Sequence, residues 1–353
     1  MQHIISQFQL QGAPVRCARY GNGHINETYL LETDAPHAYI LQKVNRLVFP
    51  DIPGLMRNIE AVTSHLWRQT PDPRRVLTLV PTQDRGTYYV DADGETWRVY
   101  EFVTDSLCLD RPENERDLQQ SGVAFGAFQN QLADFPAHTL VEIIPHFHDT
   151  PVRYTQLREA IRLDQAGRVK EAGPEIEAYL AYEKYAGYLM ELLGKGDLPL
   201  RVTHNDTKLN NVLLDPATRT PLCVIDLDTV MPGLAANDFG DSIRFGAATA
   251  REDETDLDKV GMSLKLFESY ARGFLSACGK RLTPLEKQTL PMGALLMTLE
   301  CGSRFLADYF NGDVYFHRAK PGQNLQRART HIKMVRDMES KLDEMRRIVE
   351  SIE

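Results

Sequence analysis

The sequence predicts an α+β chain of two lobes, an antiparallel-sheet lobe over residues 1–103 and a mainly helical lobe over residues 104–353. Three observations predict it. Between residues 15 and 102 the short runs VRCARY, TYLLET, AYILQKV, RVLTLV, TYYVD and TWRVYEF are rich in Val, Ile, Tyr, Trp and Thr and bounded by Gly, Pro or Asp, as strands are. Beyond Phe102 the apolar residues recur at spacings of three and four, the period of helices. Within residues 202–228 two apolar runs, 212–214 and 222–225, flank a Pro/Thr turn and read as a β-hairpin with polar groups at both ends.

Taken in order, Gly21 and Gly23 in GNGHINETY lie between the first two strands. Glycines there let a turn approach a triphosphate and aim backbone N–H groups at it, although G-x-G alone also suits a plain hairpin turn. One helix interrupts the strands over residues 53–67, with Leu55, Ile59, Val62 and Leu66 on one face. The last strand, TWRVYEF, runs into Val103, Thr104 and Asp105, a change from strand to loop expected of a hinge. The backbone of Glu101 and Val103 could there meet an adenine ring.

After the hinge, Ala124, Ala127, Phe128, Leu132 and Phe135 mark one helix, and Ile176, Tyr179, Leu180, Leu189 and Leu192 mark a long tyrosine-rich one. In HFHDTPVRY, His146, His148 and Asp149 read more simply as a loop and cap opening a helix than as a metal cluster. Thr283-Pro284-Leu285-Glu286 combines an N-cap, a first-turn Pro and the Glu of a capping box. The last segment repeats apolar residues at Ala328, Ile332, Val335, Met338, Leu342, Met345, Val349 and Ile352, a seam that needs a partner. That partner is the helical lobe itself in a monomer, or a second copy in a coiled-coil dimer.

The chemistry concentrates at the hairpin. His204, Asn205, Asp206, Lys208, Asn210 and Asn211 precede its first run, and Asp226 and Asp228 follow its second, so folding it brings Asp206, Asn211 and Asp226 together. Asp206 and Asn211 have the five-residue separation of the catalytic Asp and metal-binding Asn of kinases, and Asp226 stands where the second metal ligand belongs. One carboxylate can orient a hydroxyl and accept its proton, while an Asn oxygen and a second Asp offer hard ligands to Mg²⁺. Asn, Asp and Thr also crowd ordinary turns, but here four positions agree, His204, Asp206, Asn211 and Asp226, with the hairpin between them. The D-F-G at residues 238–240 is a decoy: no ligating Asn precedes it at the right distance, so Asp238 and Asp241 are expected to bond loop backbone or nearby Arg side chains.

HNDTKLNN, VIDLDTVMPG and DFGDSIRFG resemble the aminoglycoside phosphotransferase and choline kinase superfamily, and within it the bacterial N-acetylhexosamine 1-kinases. GNGHINETY, YILQ, FPDIPGLMRNIE, WRVYEF, HFHDTP and CGSRFLADYFNGDVYF extend the resemblance nearly end to end. It implies a kinase-like fold of the aminoglycoside phosphotransferase type, ATP as co-substrate, Mg²⁺, and transfer of the γ-phosphoryl group to the C1 hydroxyl of N-acetylglucosamine or N-acetylgalactosamine. It implies further that His24, Asp228, Arg304 and Tyr315 contact the sugar. The chain departs from the general kinase pattern at Gln42, which occupies the third-strand position where a Lys pairs the phosphates with a helix Glu. Lys43 is adjacent but points to the other face, Glu60 is left as an uncertain partner, and the hexosamine kinases share the missing Lys. The rival readings are the same fold acting on another hexose, an aminoglycoside, choline or homoserine, and a nucleotide-binding pseudokinase.

Lys plus Arg number 40 against 49 Asp plus Glu, a net charge of −9, which argues against nucleic acid or an anionic membrane as main partner. The first 14 residues lack the basic start and apolar core of a signal peptide, and no run approaches the length of a membrane span, so the expected location is cytoplasmic. Five widely spaced cysteines suggest small buried hydrophobes rather than disulfides or zinc.

Overall fold

The structure, a computed structural model, describes every residue except Asn22, His24 and Glu353. A short helix α1 (Gln2–Ile5) precedes strands β1 (Pro14–Arg19), β2 (Glu27–Thr33) and β3 (Ala38–Val44), helix α2 (Ile52–Gln69), and strands β4 (Tyr89–Val90) and β5 (Thr96–Glu101). The five strands pair antiparallel in the order β1-β2-β3-β5-β4.

Strand alternation sorts the side chains by face. Tyr39 and Leu41 of β3, with Trp97 and Val99 of β5, pack with Ile4, Ile5 and Phe8 on the outer face. Val44 and Tyr100 lie on the other, with Leu55, Met56, Ile59 and Val62 of α2, in a core that continues to Phe128, Val202, Leu227 and Met231 beyond the hinge. The same alternation sends Lys43 outward, where its ammonium pairs with Glu95 at 2.9 Å.

Two expected strands are reduced. Only Tyr89–Val90 of TYYVD pairs as a strand. The run RVLTLV instead borders β5 irregularly, the Val80 N–H reaching the Val99 carbonyl and the Glu101 N–H the Thr78 carbonyl, both at 2.9 Å. Pro81, lacking a donor, follows immediately, so β5's free edge is divided between two short segments.

The helical lobe opens with β6 (Leu107–Cys108) and contains α3 (Glu115–Gln131), α4 (Thr150–Leu163), α5 (Gly173–Tyr182) and α6 (Tyr188–Gly194). Strands β7 (Arg201–Thr203), β8 (Val212–Leu214), β9 (Pro221–Val224) and β10 (Met231–Gly233) follow, then α7 (Ala235–Gly246), α8 (Leu264–Cys278), α9 (Pro284–Phe310) and α10 (Gln323–Glu350). Asp149 caps α4 through the Val152 N–H, and Thr283 with Glu286 forms the reciprocal capping box of α9. The long tyrosine-rich helix is instead broken between α5 and α6 by a 3₁₀ turn over Glu183–Tyr185. Residues three apart eclipse in such a turn, and here Tyr182 and Tyr185 both place their hydroxyls on Glu339 of α10.

Backbones approach closely at the centre of this lobe: a Cβ on Gly273 of α8 would sit 2.1 Å from the Gln119 carbonyl of α3, so no larger residue fits there. The α10 seam is covered within the chain, with Ala328, Val335, Met338 and Met345 fully buried in the lobe's core. Among the described residues no helix is long and apolar enough to cross a membrane.

Candidate active site

Antiparallel pairing of β7 with β10, Thr203 opposite Met231, ties together the two ends of the hairpin segment. Between them β8 pairs with β9, and the Ile225 N–H bonds the Asn211 carbonyl at 2.9 Å. The loop after β7 is laced to the turn before β10. His204 Nε2 lies 2.9 Å from the Ile225 carbonyl, the Asn205 amide donates to the Thr229 carbonyl at 2.8 Å, and Thr229 Oγ1 donates to the His204 carbonyl at 2.7 Å. Asp206, Asn211 and Asp226 meet as the spacing predicts. Asn211 Nδ2 donates to the Asp206 carbonyl at 2.8 Å and to its carboxylate at 3.2 Å, which leaves the amide oxygen for a cation.

Asp238 and Asp241, three apart on α7, form the floor. Asp238 accepts the N–H groups of His204 and Asn205 and the Gln129 amide, and Asp241 accepts the Thr207 N–H and the Arg244 guanidinium. They bond loop backbone and an Arg, as expected, and do so from a helix.

Asp226 adopts left-handed backbone angles, φ 61° and ψ 61°. Asp226 is exposed by surface area, yet crowding by surrounding protein, then the nearby carboxylates of Asp228 and Asp206, raise its carboxyl to about 7. One buried oxygen beside it, the Tyr100 hydroxyl, lacks a hydrogen-bond partner, whereas Asp228 Oδ1 faces a guanidinium. Crowded carboxylates and the free amide oxygen of Asn211 suit a divalent cation such as Mg²⁺ on Asn211 and Asp226.

Lys208, two residues after Asp206, places Nζ 2.8 Å from Asp206 Oδ1. Burial opposes its charge, but the Asp206 and Asp241 carboxylates outweigh it and raise its pKa. This ammonium was visible in HNDTKLNN without a role; its position suits a phosphate oxygen moving toward Asp206.

Gln42 on β3 faces the cleft, and directly opposite it in register stands Arg98 of β5. Gln42 Oε1 accepts from Arg98 Nε at 3.0 Å and Nη2 at 2.8 Å. The guanidinium continues to Asp228, with Nη1 2.6 Å from Oδ1 and Nη2 2.9 Å from Oδ2. Asn26 also donates to Asp228 Oδ2, at 2.6 Å. Asp228 is therefore 3% exposed and held from the sheet lobe, and a sugar hydroxyl reaches it only by displacing one of these partners. Glu60 is exposed on the outer side of α2 and does not enter this network; the α2 side chain beside Arg98 is Met56. Arg98 was missed, and its signal was a lone Arg in the apolar strand TWRVYEF, on the same face as Tyr100.

A Cβ at Gly21 or Gly23 would meet nothing within 4 Å, and Gly21 has φ +74°, so this turn is open and needs glycine at Gly21. His24 lies outside the described residues. At the hinge, the Phe102 N–H turns into the sheet toward the Ala38 carbonyl at 3.0 Å, and the rings of Phe102 and Tyr20 meet edge to face at 5.7 Å. Burial raises the Glu101 carboxyl, and the Val103 carbonyl accepts from Ser106 at 2.8 Å.

Arg304 and Tyr315 are brought together, Nη2 lying 3.3 Å from the tyrosine hydroxyl. The guanidinium also sits over the rings of Phe147 and Phe316, at 5.1 and 5.4 Å. Asp308 accepts the N–H groups of Val314, Tyr315 and Phe316 and fixes the loop that carries Tyr315. One turn before Arg304, Glu300 accepts from Thr150 and pairs with His148 at 2.8 Å, and His148 Nε2 lies 3.4 Å from the Asn205 carbonyl. A second group, Glu252, Cys301 and His331, could also hold a metal by proximity. Arg244 and Arg327 already pair with Glu252, at 3.1 and 3.3 Å, so this group is an ion-pair network.

An antiparallel sheet with one helix, joined through a strand-to-loop hinge to a helical lobe that carries the Asp206 loop, is the two-lobed, protein-kinase-like fold. The profile of the phosphotransferase enzyme family matches residues 16–271, and the chain belongs to that family. Among solved structures it is similar to a microcompartment-associated aminopropanol kinase, with 17% identity and a TM-score of 0.58 over 98% of this chain and 97% of that one. An aminoglycoside phosphotransferase from Alicyclobacillus acidocaldarius gives 15% and 0.60 over 100% and 97%. An amicoumacin kinase in complex with AMP-PNP and Ca²⁺ gives 13% and 0.62 over 96% and 91%. At these identities the likeness speaks to the fold.

Proposed function

We propose that the chain is an ATP-dependent kinase that phosphorylates the C1 hydroxyl of N-acetylhexosamines, using Mg²⁺. The observation that carries the phosphoryl-transfer reading is the convergence of Asp206, Asn211 and Asp226, with Lys208 against Asp206. Asp206 orients the acceptor hydroxyl and receives its proton as the new O–P bond forms. The anomeric hydroxyl is more acidic than an ordinary alcohol, which keeps the demand on this base modest. Mg²⁺ held by Asn211 and Asp226 would offset charge on the phosphate oxygens. Lys208 adds a cation on the acceptor side, the Gly21 and Gly23 turn offers backbone N–H groups to the phosphates, and Glu101 and Val103 present the hinge backbone to adenine. Gln42 stands at the third-strand position assigned to the nucleotide, and its side-chain oxygen also holds Arg98.

The sugar reading rests on the resemblance together with the Arg304–Tyr315 pair, flanked by Phe147 and Phe316. An Arg with aromatic neighbours suits the hydroxyls and acetamide of an N-acetylhexose. His24 and Asp228 are assigned to the sugar by resemblance alone. Aminopropanol, the acceptor named for one structural neighbour, is a cation at neutral pH, and Arg304 opposes a like charge in its pocket. The chain is taken to work as a monomer in the cytoplasm.

The test is ADP release from Mg·ATP with N-acetylglucosamine, N-acetylgalactosamine, unacetylated hexoses, an aminoglycoside, choline, aminopropanol and homoserine. Turnover with the N-acetylated hexoses is expected. Turnover only with an amino alcohol or aminoglycoside would remove the sugar assignment and leave the catalytic residues in place. ATP binding without turnover on any acceptor would favour a pseudokinase.

A further inference from the structure

We infer that Arg98 is a positioning residue for phosphoryl transfer. It is the cation that locks the sheet lobe onto the turn carrying Asp226, in a chain whose third strand carries Gln42 where kinases have a lysine. The inference rests on the kinase reading above but not on the identity of the acceptor.

Four observations support it. Arg98 is 1% exposed, yet its partners come from both lobes, Gln42 on one side and Asp228 on the other. Its guanidinium is fixed from the sheet side by bidentate bonds to Gln42, the residue standing in the lysine position. It is fixed from the helical-lobe side by Asp228, two residues after Asp226. Its face lies 5.1 Å from the Tyr100 ring centre, and Met56 of α2 closes another side, so the planar group has little freedom to turn.

The consequence concerns Asp226. A non-glycine residue in the left-handed region persists only where its surroundings over-determine it. Those surroundings include Asp228, which is anchored twice from the sheet lobe, by Arg98 and by Asn26 after the glycine turn. Asn26 is in turn braced by the Asn45 N–H at 3.0 Å, just beyond β3. The nucleotide is held from the sheet lobe and the acceptor from the helical lobe, so this junction sets the distance between donor and base. Arg98 has nearly all its N–H groups engaged within the protein, and its role is therefore alignment rather than contact with phosphate.

The test compares three variants at a temperature well below unfolding, using the best acceptor found for the wild type. Arg98→Gln removes the cation, Arg98→Lys keeps it, and the exchange Gln42→Lys with Arg98→Gln moves it to the paired strand. Readouts are kcat, nucleotide affinity by calorimetry, and Tm. Arg98→Gln is expected to lower kcat about 100-fold, the scale of a misalignment of about 1 Å, while nucleotide affinity stays close to wild type. Arg98→Lys and the exchange are expected to recover kcat to within about tenfold of wild type. Wild-type kcat in a folded Arg98→Gln protein with only Tm lowered would overturn the inference, because the pair would then be merely structural. If Arg98→Gln does not fold, a folded exchange variant with full nucleotide affinity and a kcat still about 100-fold down overturns it equally. Absence of turnover in the wild type with every acceptor would instead refute the kinase reading itself.

Discussion

Asp238 on α7 accepts the backbone N–H of Asn205 at 2.8 Å, and Asn205, at φ +64°, is the residue before Asp206. The same carboxylate takes the His204 N–H at 2.9 Å and the Gln129 amide at 2.7 Å. Three donors on one buried carboxylate hold the catalytic loop in a conformation that asparagine tolerates but does not prefer. Asp238→Ala leaves those donors without a partner, at about 1–3 kcal/mol for each that stays dry. Urea unfolding should show a loss of at least about 2 kcal/mol, with kcat reduced as well. A variant within about 0.5 kcal/mol of wild type would mean that the loop holds itself.

Asp206→Asn keeps the size of the side chain and removes its basicity. The expected result is a fall in kcat of about 10² to 10⁴, with ATP affinity retained. Near-normal turnover in this variant would refute the role of Asp206 as base.

Arg304→Lys keeps a positive charge but loses the planar fork and the stacking on Phe147 and Phe316. Steady-state kinetics should show the KM for sugar raised about 10- to 100-fold, the size of one lost charged hydrogen bond, with the KM for ATP unchanged. An unchanged sugar KM would place the acceptor elsewhere in the cleft.

Stability should respond to acid through His331 on α10. Burial lowers its pKa from 6.5 to about 4, against the opposing pull of Glu252. The unfolded chain therefore binds the extra proton first, so the stabilisation is complete above pH 6.5 and drains away as pH falls through about 4. The single site accounts for about 3 kcal/mol over that range, about 2 of them gone by about pH 5. Urea midpoints of wild type and His331→Gln at about pH 7.5 and about pH 5 isolate the effect: the variant should lose less on acidification, and an equal loss would assign the acid sensitivity elsewhere.

The order of elements was legible because alternation and helical period act locally. β3, β5, α2 and the capped start of α9 follow from spacing and cap chemistry, and so does the outward turn of Lys43. The break between α5 and α6 was hidden because it depends on Glu339, more than 150 residues away, holding Tyr182 and Tyr185 together. The approach of Asp206, Asn211 and Asp226 was readable because one short hairpin connects them. Arg98 was not readable, since its meaning depends on a strand pairing with Gln42 and a contact 130 residues along the chain with Asp228. Together with the Asn26 bond, that contact gives Asp228 two protein partners where the resemblance implied only a sugar.

The most direct measurement is phosphorus NMR of the product formed from Mg·ATP and an N-acetylhexosamine. The expected spectrum contains a phosphate resonance coupled to the anomeric proton, appearing as ADP accumulates and absent from Asp206→Asn over the same interval. A phosphate coupled to protons at another ring carbon, or free inorganic phosphate with the sugar unmodified, would contradict phosphorylation at C1.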